Sequence, residues 1–256
     1  FGFRGKPTAV NNVESFCAVP QIMKNGVAWW KSLSSYPTAG TKMYMILGHI
    51  NKPGLFEAPF GLTLRQIIDE FGGGMTEGSK FQFALCGGAA GTVVDESLLD
   101  TPIDFASSQK GISLGAGSFL VCDQSISPVS FLRELLHFFS AESCGKCTPC
   151  RVGTKIVAER LAAIADGLGR ERDIEDIKRL AGVIRDSSMC ELGHTSMNAL
   201  LKAMDVLADA FTTAVRERRP VPRGAYHAIA TAPCIEACPA HLDIPSYVDA
   251  IRGGNY

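Results

Sequence analysis

The sequence predicts an α+β protein in which a small sheet, crossed by one helix, is followed by an all-α four-helix region. Between residues 41 and 123, short apolar segments alternate with turn residues, as expected for strands. After Asp123, apolar residues recur three and four positions apart, which is the spacing of amphipathic helices. Closely spaced cysteines lie in one of the connections between these helices.

The sheet prediction depends on five apolar segments and the turns between them. Asn51-Lys52-Pro53-Gly54 predicts a turn, because proline pre-sets one torsion and glycine supplies a positive φ. Thr63 is a good N-cap for a helix that ends at Phe71 before three glycines. The predicted strands are 41–50, 55–58, 81–85, 92–94 and 118–122.

Four further helices are predicted in the second half of the chain. The first begins at Ser127-Pro128, since proline suits the first helical turn. The others cover about 152–166, 173–185 and the stretch from Ser196 to Pro220. Helices of this length with apolar stripes are the parts of a bundle. One more helix is predicted near the start, where Val13 and Met23 belong to an apolar pattern.

Composition excludes several classes of function. The chain has 256 residues, 46% apolar and 20% charged, and its 25 basic and 26 acidic side chains almost balance. We therefore expect no nucleic-acid partner. No apolar run approaches the roughly 20 residues that span a bilayer. The sequence begins without Met or a signal-peptide core, so we expect a fragment of a longer polypeptide. Closely spaced cysteines without a signal peptide indicate metal binding in the reducing cytosol.

Four of the nine cysteines suggest a metal centre. Cys144, Cys147 and Cys150 are separated by two-residue gaps in the connection between the first and second bundle helices, so their thiolates can converge. Cys190 lies in the connection between the third and fourth helices, where it can supply a fourth ligand. Four thiolates suit a 4Fe–4S cluster.

Two alternatives stay open at this point. Structural zinc sites usually use two Cys-x-x-Cys pairs, so a triple followed by a lone cysteine fits zinc less well. A zinc-stabilised module would dock subunits and move no electrons. The second alternative is four unligated buried cysteines, which regular spacing in a loop disfavours.

Three segments resemble one family. Residues 142–153, ESCGKCTPCRVG, resemble a signature of the NADH-binding flavoprotein subunit of respiratory complex I, NAD-dependent formate dehydrogenases and NAD-linked hydrogenases. Residues 5–15, GKPTAVNNVES, resemble the end of that family's flavin domain. Residues 189–193, MCELG, resemble the stretch with its fourth cluster ligand, and the whole resemblance runs from residue 1 to about 219.

The resemblance implies an electron relay. In this family hydride passes from NADH to FMN, and single electrons then pass to the cluster, so the four cysteines map onto the cluster ligands. Asn11, Asn12 and Ser15 map onto FMN-lining residues, with serine where the family usually has threonine. A plain helix N-terminus is the alternative for the two asparagines. The family's glycine-rich FMN and NADH site precedes residue 1, so we expect a cluster but no NADH oxidation.

The resemblance also implies four regions. These are a remnant of the FMN/NADH domain (1–34), a ubiquitin-like, soluble-ligand-binding β-grasp domain (35–125), a four-helix 4Fe–4S domain (126–219), and a linker with the start of a second iron–sulfur or FAD-oxidoreductase domain (220–256). In the last, the segment with Cys234 and Cys238 resembles the iron–sulfur entry of glutamate synthase small subunits and dihydropyrimidine dehydrogenase. That segment favours an NADPH-linked or bifurcating flavoenzyme over a respiratory one.

The remaining expectations concern partners and weaker candidates. We expect other redox subunits, such as a 2Fe–2S thioredoxin-like subunit or a ferredoxin-type acceptor, with any membrane association through them. No catalytic acid, base or nucleophile stands out. Gly87–Gly91 is predicted to be a turn, because no Lys-Ser/Thr follows it. His194 either bonds near the cluster or serves a helix start. Three cysteines are predicted to be small core residues: Cys17, Cys86 and Cys122.

Overall fold

A five-stranded mixed sheet carries the fold. The structure is a computed structural model that describes residues 2–222 together with Val248 and Ile251. All five predicted strands are confirmed, although the first is two residues shorter than expected. They are β1 (Thr41–Gly48), β2 (Gly54–Pro59), β3 (Phe81–Cys86), β4 (Thr92–Val94) and β5 (Ser118–Asp123).

The strand order is β2-β1-β5-β3-β4. The pair β1 and β5 is parallel, whereas the other neighbours are antiparallel. The predicted turn after β1 is present, and the Asn51 side chain ties it to the next loop by donating to the carbonyls of Gly73 and Met75 at 2.8 and 3.0 Å. The central β1–β5 pairing joins segments far apart in sequence.

Helices surround this sheet. Thr63 caps its helix through a reciprocal hydrogen-bonded box with Gln66, as the sequence predicted, and a π-helical turn (Ile67–Phe71) follows. In the part of the chain that the structure describes, no helix is both long and apolar enough to cross a membrane. The helices are α1 (Val13–Asn25), α2 (Val27–Ser32), α3 (Leu64–Gln66), α4 (Pro128–Ala141), α5 (Thr154–Ala165), α6 (Glu171–Ser187), α7 (Glu191–Thr195), α8 (Asn198–Val206) and α9 (Ala208–Glu217).

The sheet separates two hydrophobic cores, because side chains of a strand point alternately to its two faces. Ala84 and Cys86 of β3 face a core with α3 and the loops of the sheet region. Phe83 and Leu85 face the other way, into a core formed with the helices that follow residue 123. The Phe83 ring meets the Phe131 ring of α4 edge to face at 5.3 Å between centroids. The predicted regions 35–125 and 126–219 therefore share one apolar core.

Two predictions about the helices were wrong. The stretch after Ser196 is not one helix, because Leu207 leaves the helical region at φ −121° and ψ 31° and separates α8 from α9. No proline or glycine marks this break in the sequence. Cys17 is not a core residue, since it is exposed on α1, a helix that buries none of its side chains. Cys86 and Cys122 are buried as predicted.

The shared core predicts that one substitution destabilises the sheet and the helices together. Phe83→Ala empties the space opposite Phe131, and we expect a loss of about 3–5 kcal/mol in the free energy of unfolding. Denaturant titration followed by circular dichroism checks this. Val19→Ala, at a half-exposed site on α1, is the control and should change the value by less than about 0.5 kcal/mol. A Phe83→Ala loss below that of the control contradicts the shared core.

Candidate metal centre

The three closely spaced cysteines lie on a tight loop between α4 and α5. Gly145 has a positive φ of 76°, which a residue with a Cβ rarely adopts. Arg151 braces the loop from its far side, because its guanidinium donates to the Gly145 carbonyl at 2.8 Å and its N–H donates to the Cys147 carbonyl at 2.9 Å. The loop ends in a π-helical turn (Pro149–Gly153) that leads into α5. We call residues 142–153 the cysteine loop.

Cys150 is the buried member of this set, with 4% of its surface exposed. Its Sγ lies 3.2 Å from the hydroxyl oxygen of Ser143. Its carbonyl accepts a hydrogen bond from the Thr154 hydroxyl at 2.7 Å, which fixes the start of α5. Cys147 is half-buried and Cys144 is exposed. The loop therefore runs from solvent at its first cysteine to the interior at its third.

The fourth cysteine precedes α7 in a second segment, residues 188–193, which we call the Cys190 segment. Buried Ser188 donates its hydroxyl hydrogen to the Ile184 carbonyl at 2.6 Å and so folds the segment back on α6. A Cβ on Gly193 would lie 2.2 Å from the Ser188 Cβ and 3.5 Å from that of Cys150. Only glycine fits there, and the two cysteine-bearing segments are in contact.

Hydrogen bonds across this contact act on Cys147. The N–H groups of Met189 and then Cys150 lower the pKa of the Cys147 thiol, burial opposes them, and Ser188 adds to the lowering. A lowered pKa favours the thiolate, which is the form that ligates metals. The chemistry of this donor set therefore fits an iron–sulfur cluster.

The four candidate cysteine side chains are not grouped around one point in this structure. Among residues 2–222, Val248 and Ile251, no three or more His, Cys, Asp or Glu side chains are grouped closely enough to hold a metal ion. Cys147 and Cys150 contact the Cys190 segment, while Cys144 and Cys190 are exposed. The four-cysteine ligand set stays a prediction. Cys234 and Cys238 lie outside the described residues.

The three FMN candidates lie at the start of α1. The Asn12 side chain caps this helix by accepting from the Glu14 N–H at 2.9 Å, and the Asn11 side chain accepts from the Asn12 N–H at 2.7 Å. Both asparagines therefore have the helix N-terminal role that the sequence analysis gave as the alternative to FMN binding. Exposed Ser15 borders a cavity of about 590 Å³ with Trp29 and other residues between α1, α2 and the sheet. The FMN role of all three stays a prediction.

Sequence reasoning missed the ion pair that attaches α1 to the sheet. Glu14 accepts from the Lys42 ammonium at 2.7 Å and from the Met43 N–H at 2.6 Å, and Lys42 is buried. Burial raises the pKa of Glu14, but these hydrogen bonds outweigh it, so the pKa lies below its ordinary value. No local pattern signals a pairing of residues 28 positions apart.

Two weaker candidates are now placed. His194 donates from Nδ1 to the Arg185 carbonyl at 2.6 Å, which ties α7 to the end of α6. The Gly87–Gly91 stretch is a turn between β3 and β4, as predicted, and both Gly87 and Gly88 have positive φ. Neither needs a ligand to explain it.

Two family models match separate parts of this chain. Residues 130–214 match the iron–sulfur binding region of NADH-ubiquinone oxidoreductase F, and residues 43–93 match the SLBB domain. The NADP-reducing hydrogenase subunit HndC of Solidesulfovibrio fructosivorans is 37% identical over 85% of this chain and 45% of its own length. The F subunit of NADH-quinone oxidoreductase in Escherichia coli K12 is 38% identical over 84% and 49%.

A solved structure of a related enzyme has a similar fold. An NAD⁺-reducing NiFe-hydrogenase in the air-oxidised state superposes with a TM-score of 0.75 at 29% identity, covering 90% of this chain and 38% of the other. The chain thus carries a region that matches the iron–sulfur binding region of that family model. Over the matched residues it is similar to NADH-quinone oxidoreductase F subunits and to a hydrogenase counterpart. It spans about half the length of these curated relatives.

The close approach at Gly193 can be tested without a cluster. Gly193→Ala forces a Cβ into Ser188, and we expect the free energy of unfolding to fall by about 1–3 kcal/mol, as in overpacked sites. Gly182→Ala is the matched control, since a Cβ there meets nothing within 4 Å. It lies inside α6 and should stabilise the protein by roughly 0.5–1 kcal/mol. Denaturant titration measures both, and equal stability of the two variants would contradict the contact.

Proposed function

We propose that this chain relays single electrons through a 4Fe–4S cluster held by Cys144, Cys147, Cys150 and Cys190. The contact between the cysteine loop and the Cys190 segment carries the proposal, because it brings the segment of the predicted fourth ligand against Cys147 and Cys150. The family match over residues 130–214 supports the same cofactor. A cluster bound there supplies one-electron transfer, and the chain supplies its ligands and surroundings.

The protein residues have three tasks in this relay. Buried Cys150 and the apolar helices beneath it exclude water from one side of the site. The Met189 N–H is directed at the Cys147 sulfur, where it stabilises negative charge. Exposed Cys144 and Cys190 leave the other side near the surface. Electrons therefore enter or leave on that side, within reach of another redox centre.

We further assign the predicted architecture to this function. The SLBB match and a helix across one face of a mixed sheet support a β-grasp domain at 35–125. The packing of α4, α5 and α6 with α8 and α9 supports a helical 4Fe–4S domain at 126–219. In this assignment the sheet is architectural, and the chemistry belongs to the helical half.

The upstream redox partner in this proposal is the FMN and NADH part of the full-length protein. Exposed apolar side chains line α1, including Val13, Phe16 and Met23 at 74, 49 and 81% exposure. Such a face is expected where another part of a protein covers it. This supports residues 1–34 as the remnant of the flavin domain. The chain then passes electrons to a further redox subunit of the 2Fe–2S thioredoxin-like or ferredoxin type in the cytoplasm.

The names of two relatives support NADP(H) as an alternative to NADH for the full-length enzyme. The relative from Solidesulfovibrio fructosivorans is called an NADP-reducing hydrogenase subunit, whereas the one from Escherichia coli is called an NADH-quinone oxidoreductase subunit. The identities are nearly equal. An NADPH-linked or bifurcating enzyme therefore stands beside a respiratory one, and both use the same cluster.

Metal analysis tests the ligand set. After anaerobic purification or reconstitution, the chain should contain about four irons and four sulfides and give an EPR signal once reduced with dithionite. We expect Cys190→Ser to abolish this signal because it removes a ligand. Cys17→Ser, which alters an exposed cysteine on α1, should leave iron and signal unchanged. Stoichiometric zinc without sulfide would show a docking module instead.

An NADH oxidation assay tests whether this chain holds the cluster without oxidising NADH itself. With added FMN, we expect the cluster-loaded chain not to be reduced by NADH, because the side chains of exposed Asn11 and Asn12 are already hydrogen-bonded at the start of α1. Anaerobic visible spectroscopy follows the cluster, and dithionite is the positive control. Bleaching by NADH at a rate that depends on FMN would contradict this prediction.

A further inference from the structure

The hydroxyl group of Ser143 faces a candidate ligand. Ser143 lies two residues after α4, and its Oγ is 3.2 Å from the Cys150 Sγ, the most buried sulfur of the predicted set. The Gly145 N–H donates to the same Oγ at 3.4 Å. The loop therefore holds this hydroxyl beside the sulfur from two directions.

The direction of the hydrogen bond follows from proton counting. A hydroxyl has one hydrogen to donate, and Ser143 Oγ already accepts from Gly145. A thiolate bound to iron carries no hydrogen, so the Ser143 O–H has to be the donor in the loaded protein. Its acceptor is the Cys150 sulfur.

Ser188 provides an internal comparison. It bonds to the Cys147 sulfur and lowers the pKa of that thiol, but its hydroxyl also donates to the Ile184 carbonyl at 2.6 Å. A carbonyl only accepts, so Ser188 has to share its one hydrogen between the carbonyl and the sulfur. Of these two serines, Ser143 is the one whose hydroxyl faces a sulfur and an N–H donor instead of a carbonyl.

We propose that Ser143 is a positioning residue that raises the reduction potential of the cluster by donating its O–H to the Cys150 sulfur. This inference rests on the proposed function. Reduction adds negative charge to the cluster and its sulfurs, and a hydrogen-bond donor stabilises the more negative state more strongly. The burial of Cys150 strengthens the effect, because a water-poor site screens it less.

The test is an EPR-monitored potentiometric titration of the full 256-residue chain. Ser143→Ala should shift the midpoint potential to a more negative value at unchanged iron content. Ser143→Thr, which keeps the hydroxyl, should stay at the wild-type value. Ser143→Val has the shape of threonine without the hydroxyl and should shift like alanine. Ser188→Ala is the control and should shift the potential less than Ser143→Ala does.

The outcomes separate this inference from the proposed function. A wild-type chain without iron and sulfide refutes the proposed function itself. A loaded wild-type chain whose potential equals that of Ser143→Ala overturns only the role of Ser143. If Ser143→Ala does not retain the cluster, the threonine and valine variants decide, and equal potentials for that pair overturn the inference.

Discussion

The packing of both cysteine-bearing segments against the last turns of α6 is the contact on which the candidate site depends. Ile184 is its centre. A Cβ on Gly153 would lie 2.6 Å from the Ile184 side chain, so the end of the cysteine loop packs directly on it. The Ile184 carbonyl accepts from the Ser188 hydroxyl and so starts the Cys190 segment. One residue thus sets the position of two segments that are far apart in sequence.

This support is rigid because α6 belongs to the larger of the two hydrophobic cores. Ile177, Ala181 and Ile184 of α6 pack with residues of α4, α5 and α8, and the same core continues to Phe83 and Val93 of the sheet. Close-packed protein interiors transmit displacements instead of absorbing them. The sheet region therefore fixes the site, although no predicted ligand lies on it.

Much of the fold was readable from the sequence because strands and helices leave local periodicities, and turns need particular residues. The five strands, the Thr63 cap and the Ser127-Pro128 helix start were predicted on these grounds. The parallel pairing of β1 with β5 was not predicted, because it depends on tertiary contacts. The break at Leu207 and the exposure of Cys17 were missed because apolar spacing marks a face without saying what covers it.

The same limit applies to the site. Cysteine spacing predicted which residues matter, and the structure placed Cys147 and Cys150 beside the Cys190 segment. The serine hydroxyls could not be foreseen, since a hydrogen bond to sulfur requires loop geometry that has no sequence pattern. Chemistry-bearing residue types are visible in a sequence, whereas the groups that orient them are not.

The attachment of α1 has a consequence for the order in which this protein opens. A helix without buried side chains gains little from the hydrophobic effect, and the Glu14 bonds to Lys42 and Met43 anchor it at one end. Segments of this kind open at free energies far below that of global unfolding. We therefore expect the amide hydrogens of α1 to exchange long before those of the core strands. A partner that covers the exposed face of α1 would therefore slow this opening, since it would bury side chains that the chain itself leaves exposed.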